Sequence, residues 1–132
     1  MESAEIPSAM SVNKLLANCS SDFFSNEKLF FAIKQSNFFF SICSKQKNRI
    51  HGFVRVTSDR GLNANLWNLC AEPGKNQNLF YLILLRLTLE KINREMPGCS
   101  VSVQAPPSSF KSLEESGFIL DPNGIRVMGY KI

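Results

Sequence analysis

The chain has 132 residues, 44% hydrophobic and 20% charged, which suits one compact domain with a core and excludes disordered and fibrous classes. Its formal net charge of +4 is compatible with a polyanionic ligand, but the lysines and arginines are scattered rather than gathered on one helix face, so no nucleic-acid partner is expected. The longest apolar run, residues 79–85, falls far short of the roughly 20 residues that span a bilayer, so no membrane partner is expected either.

Residues 1–10 mix small, polar and proline residues and read as a loose leader to a single domain over 1–132. They lack the basic start and apolar centre of a secretory signal, so Cys19, Cys43, Cys70 and Cys99 are expected as reduced thiols and the location as cytoplasmic. With no CxxC pair and only one histidine, no metal site is expected.

Residues 11–17 and 26–33 carry apolar side chains at helical intervals (Val12, Leu15, Leu16; Leu29, Phe30, Ile33), with Ser11 and Asn26 as N-cap candidates. From Phe38 the period becomes two. Phe38, Phe40 and Ile42 share a face, residues 45–48 form a polar turn, and Ile50, Val54 and Val56 resume an antiparallel strand. Residues 65–71 form a further strand, ended by Glu72-Pro73-Gly74.

A long helix over 78–95 follows, apolar all round at its start and then narrowing to Leu85, Leu89, Ile92 and Met96. Met96-Pro97-Gly98 stops it. Cys99, Val101, Val103 and Ala105 alternate with polar residues as a half-buried strand. A short helix capped by Ser108 or Ser109 then ends with Gly117 in the left-handed C′ position and Phe118 folded back on Leu113. Residues 118–120 and 125–132, joined by Asp121-Pro122-Asn123-Gly124, predict a terminal hairpin.

This order predicts an α/β (α+β) domain with a mixed, mostly antiparallel twisted sheet flanked by helices. Gly52-Phe53-Val54-Arg55-Val56-Thr57-Ser58-Asp59, then Asn63-Ala64, Leu66-Trp67-Asn68, Gly117-Phe118, Asp121-Pro122, Gly124-Ile125 and Met128 resemble the cyanobacterial and plastid branch of the GNAT acyltransferases. The likeness covers roughly residues 38–132. It implies the GNAT acyl-CoA N-acyltransferase fold, acetyl-CoA as co-substrate and transfer of its acetyl group to a primary amine.

In such families the pantetheine arm lies along a splayed strand edge, which would be Leu69, Cys70 and Ala71, and the pyrophosphate lies on the following helix start, which would be Asn76, Gln77, Asn78, Leu79, Phe80 and Tyr81. Unpaired backbone groups at a sheet edge and a helix start can hold such an anion with few obligatory side chains. The family's loop glycines fall on Leu79 and Tyr81, its acidic strand residue on Asn68, its histidine on Glu72 and its general-acid tyrosine on Leu113. Glu72 is accordingly the candidate base and Tyr130 the candidate acid.

Read for packing alone, Tyr81 is a core or groove filler, Glu72 a solvated turn carboxylate, His51 a surface residue and Cys70 a small buried residue. The alternative function is a catalytically inactive GNAT-fold binding module whose filled glycine loop has closed the cofactor cleft. A homodimer through a strand edge or the terminal hairpin is compatible with so small a domain. The test between readings is whether the strands at 66–71 and 99–105 diverge into an open V or are plugged by Phe80 or Tyr81.

Overall fold

The computed structural model describes residues 7–19, 24–45 and 49–131; most of the expected leader, residues 46–48 of the polar turn and Ile132 lie outside them. Two short helices come first, α1 (Ala9–Asn18) and α2 (Asn26–Gln35). Each is capped one or more residues earlier than the sequence suggests: the Ser8 hydroxyl accepts from the Ser11 N–H and the Ser25 hydroxyl from the Lys28 N–H. Serine serves because its short side chain reaches back to an otherwise orphaned amide.

Strands β1 (Phe38–Cys43), β2 (Ile50–Ser58), β3 (Asn63–Ala71) and β4 (Ser100–Val103) form one sheet in that order, the first two pairings antiparallel and β3–β4 parallel. The parallel pairing needs a crossover, and α3 (Gln77–Glu95) supplies it. One sheet face, with Val54, Val56, Leu66, Leu69 and Ala71, packs on Tyr81, Leu84, Leu85 and Ile92 of α3. The other, with Phe53 and Cys70, packs on Val12, Leu15 and Leu16 of α1 and on Leu29 and Ile33 of α2.

The short helix α4 (Phe110–Glu115) ends as its sequence requires. Gly117 has φ of 102°, its N–H donates to the Glu114 carbonyl at 3.0 Å, and the Phe118 N–H donates to the Leu113 carbonyl at 2.9 Å. These are the paired bonds of a Schellman end, which needs a left-handed residue and hence favours glycine.

Three expectations are corrected. The terminal hairpin is absent: no residue of 118–131 is in a strand. Asp121 and Asn123 both take positive φ, at 47° and 57°, and a 3₁₀ turn over Pro122–Gly124 leaves Ile125 and Val127 exposed, with no face to reward their alternation. The cysteines are not all thiols: Cys19, at the end of α1, and Cys70 of β3 are joined in a disulfide, which removes the thiol argument for a cytoplasmic location. Finally, the buried stripe of α3 runs through Tyr81, Leu84, Leu85, Thr88 and Ile92, with Thr88 taking the place expected of Leu89.

Candidate functional site: a forked sheet with a bulge at Asn68

Strands β3 and β4 run side by side only from Asn63↔Ser100 to Leu66↔Val103. Beyond Leu66, β3 continues for five more residues to Ala71 while β4 has ended. The sheet therefore forks. A cavity of about 160 Å³ lies at the fork, lined by Asn65, Leu66, Trp67, Ser102, Val103, Gln104 and Val127. Phe80 and Tyr81 are not among its walls; Val127 of the C-terminal segment is.

Just beyond the fork the β2–β3 ladder slips. Phe53 pairs with Cys70 and Arg55 with Trp67, so Val54 alone stands opposite both Asn68 and Leu69. This is a β-bulge, and Asn68 carries the positive φ, 55°, that an asparagine tolerates better than most side chains. A bulge disrupts the ladder locally and leaves its extra residue unpaired. The sequence contains its signal: buried apolar residues on the α3 face step from Leu66 to Leu69, three positions instead of two, and the extra residue is Asn68.

The helix start lies past the end of β3. Asn76 makes no side-chain cap, leaving the first turn of α3 able to receive an acceptor. Leu79 is 54% exposed, whereas Tyr81 is 0% exposed and its hydroxyl hydrogen-bonds Ser108 Oγ at 2.7 Å. So only Leu79 projects bulk where the resemblance puts a loop glycine; the expectation that Tyr81 does so is corrected, because that position of α3 faces the sheet. Asn78 is held by the Ser112 hydroxyl, and Gln77 Nε2 donates to the Ala71 carbonyl at 3.0 Å, occupying part of the strand edge. Leu69, Cys70 and Ala71 are buried, so their contribution to a ligand is by backbone.

Glu72 is not a free turn carboxylate. It accepts from Arg49 Nη2 at 3.0 Å, and its other oxygen lies 2.6 Å from His51 Nδ1. The His51 ring in turn stacks on Phe80 of α3, with centroids 5.4 Å apart. His51 is thus neither isolated nor simply at the surface, a pairing that sequence spacing could not show because the two residues are opposed only through the β2–β3 register. Neither Glu72 nor His51 lines the fork cavity. Tyr130 is 90% exposed and is not brought to the site, and Leu113, at the family's acid position, is buried in the core.

A second cavity, about 220 Å³, lies on the other side of the bulge between α2 and the sheet, lined by Phe24, Lys28, Leu29, Ala32, Arg55 and Asn68. Arg55 donates through Nε to Asn68 Oδ1 at 2.7 Å and through Nη1 to Ser36 Oγ at 3.5 Å, and its guanidinium sits 5.9 Å from the Trp67 ring centroid. Desolvation pushes its pKa below the ordinary arginine value.

A sheet forked beside a bulge, with a long helix crossing from one arm of the fork to the other, defines the acyl-CoA N-acyltransferase class of folds. No protein-family model matches the chain. It is 28% identical over 109 residues to an uncharacterised N-acetyltransferase of Porphyra purpurea, a match covering 77% of this chain and 59% of that protein. Among solved structures it superposes on a Staphylococcus aureus protein described as a probable acetyltransferase, with a TM-score of 0.83, 17% identity and coverage of 98% and 97% of the two chains. It also superposes on a GNAT family acetyltransferase of Streptococcus pneumoniae, with a TM-score of 0.68, 17% identity and coverage of 97% and 92%. The chain has the fold of these acetyltransferases and resembles the GNAT superfamily, and it spans about three-fifths of the length of the Porphyra relative.

Proposed function

We propose that the protein is an N-acetyltransferase that moves the acetyl group of acetyl-CoA to a primary amine. The observation that carries this reading is the fork with its bulge at Asn68: a strand edge without a β4 partner past Leu66, leading to an uncapped helix start at Asn76. An extended thioester with an anionic end fits those two features in that order. Acetyl-CoA would be held along Leu69 to Ala71 and at the first turn of α3, and it supplies an activated acyl group. In this reading the chain's own residues bind and orient it, and a backbone N–H left unpaired by the bulge would polarise the thioester carbonyl.

Deprotonation of the amine falls in this reading to Glu72, acting with His51 through water, since neither lines the fork cavity or the cavity beneath α2. Direct attack requires mainly positioning and loss of that proton, so a tyrosine acid is not essential, and Tyr130 has no part. The inactive-module reading rested on a loop plugged by bulky residues; Tyr81 turns into the core instead. The test is calorimetric and thermal-shift titration with acetyl-CoA. Micromolar binding is expected, with stabilisation of about 2.7 kcal/mol at a hundredfold excess over Kd. No heat and no stabilisation at millimolar acetyl-CoA would remove the enzyme reading.

A further inference from the structure

Among the described residues, the cavity beneath α2 contains a cationic group with no countercharge. Among the described residues no ion pair involves Arg55 or Lys28, and Arg55 is only part-buried, its guanidinium meeting neutral partners: the Asn68 carbonyl oxygen, the Ser36 hydroxyl and the Trp67 ring. Desolvating a cation without pairing it is unfavourable. Nε is committed to Asn68 and one Nη1 proton to Ser36, which leaves the Nη1/Nη2 end of the fork for a planar two-oxygen acceptor.

The wall opposite is built, not incidental. Buried Asn13 of α1 donates to the Phe24 carbonyl and to Asn26 Oδ1, both at 2.7 Å, and accepts from the Phe24 N–H at 3.2 Å. This fixes Phe24 and the start of α2 over the sheet. Phe24, Leu29 and Ala32 give the cavity an apolar side while Arg55 and Lys28 give it a positive one.

Consecutive residues of β3 connect the two cavities: Trp67 lines the one at the fork and Asn68 the one beneath α2. We infer that the cavity beneath α2 is the acceptor subsite and that the acceptor is an amine bearing a carboxylate, gripped end-on by Arg55 with Lys28 at the rim. This rests on the acetyltransferase reading and adds the acceptor's chemical class. Because Asn68 itself holds Arg55, guanidinium and bulge are immediate neighbours. The carboxylate and the amine must then be only a few bonds apart, as in an α-amino acid, and the apolar wall suits an uncharged side chain.

The experiment compares alanine, leucine and phenylalanine with their carboxamides, measuring equilibrium binding by ligand-observed NMR and, separately, acetylation by release of the CoA thiol. Replacing a charge-assisted two-oxygen contact by an amide is expected to weaken binding about ten- to a hundredfold. That difference should vanish in Arg55→Gln and survive in part in Arg55→Lys, with both variants checked for native circular dichroism and for unchanged affinity for acetyl-CoA. Equal binding of acid and amide by the wild type, or a difference that persists in Arg55→Gln, overturns the inference. Failure of acetyl-CoA to bind would instead strike the acetyltransferase reading, while the acid-against-amide comparison would still report on Arg55.

Discussion

Tyr81 offers a clean separation between a side chain that serves the fold and one that serves a ligand. Its ring is 0% exposed among core residues and its hydroxyl meets Ser108 Oγ at 2.7 Å, so Tyr81→Phe removes one hydrogen bond and no packing. Ser108 is itself exposed, and its hydroxyl can turn to water instead of being left unsatisfied. The cost should therefore sit in the ordinary range for a net hydrogen bond, about 1 kcal/mol, or a fall in Tm of roughly 4 °C for a chain of this length. Tyr81→Ala deletes the ring as well and should cost about 3–5 kcal/mol, a large share of any domain's stability. Urea unfolding followed by circular dichroism measures both, and acetyl-CoA titration of Tyr81→Phe should give the wild-type affinity. A variant of unchanged stability that binds acetyl-CoA tenfold more weakly would show that the hydroxyl faces the cofactor, and the assignment of Tyr81 to the core would fail.

Two further outcomes follow from single contacts. Cys19 and Cys70 close a loop with a sequence separation of 51, for which chain entropy alone gives about 4 kcal/mol. Without reductant, iodoacetamide should label only Cys43 and Cys99, the free cysteines, and reduction should lower the Tm of the wild type but not of Cys19→Ser; labelling of all four before reduction would refute the bond. Asp59 Oδ1 accepts from the N–H groups of Gly61, Leu62 and Asn63, and these bonds hold its carboxyl below its ordinary value of 3.8. A depressed folded-state pKa means that the stability is fully present above about pH 4 and is lost as pH falls through the folded value. The stability gap between wild type and Asp59→Asn should accordingly be constant near neutrality and close below pH 4; a gap that widens on acidification would contradict the turn's role.

Much of the fold was legible because local chemistry and global need agree along most of the chain. The helical spacing of Val12, Leu15 and Leu16, the two-residue period from Phe38 and the Gly117-Phe118 helix end each survive into the structure. What failed depended on long-range geometry. The Cys19–Cys70 bond and the His51–Glu72 pair join residues 51 and 21 positions apart, and only the packing of α1 on the sheet and the β2–β3 register brings them together. The terminal segment failed for the converse reason. Its turn residues are permissive, but Ile125 and Val127 have no buried face to occupy, and alternation without burial does not make a strand.

The departures from the family pattern take on a different weight once the bulge is located. A site that worked through a tyrosine at the position of Leu113 or a carboxylate at that of Asn68 would be disabled by these residues. Yet Leu113 is a core side chain, and Asn68 holds the positive φ of the bulge while anchoring Arg55. Asparagine is well suited to both tasks, since it tolerates the left-handed region and offers a neutral carbonyl that orients the guanidinium without neutralising it. An aspartate there would pair with Arg55 and remove the free charge from the cavity beneath α2. On the proposed reading, then, the residue that departs from the pattern at the bulge is the one that leaves Arg55 available to an acceptor, and the remaining requirements of acyl transfer fall on backbone at the fork and the start of α3.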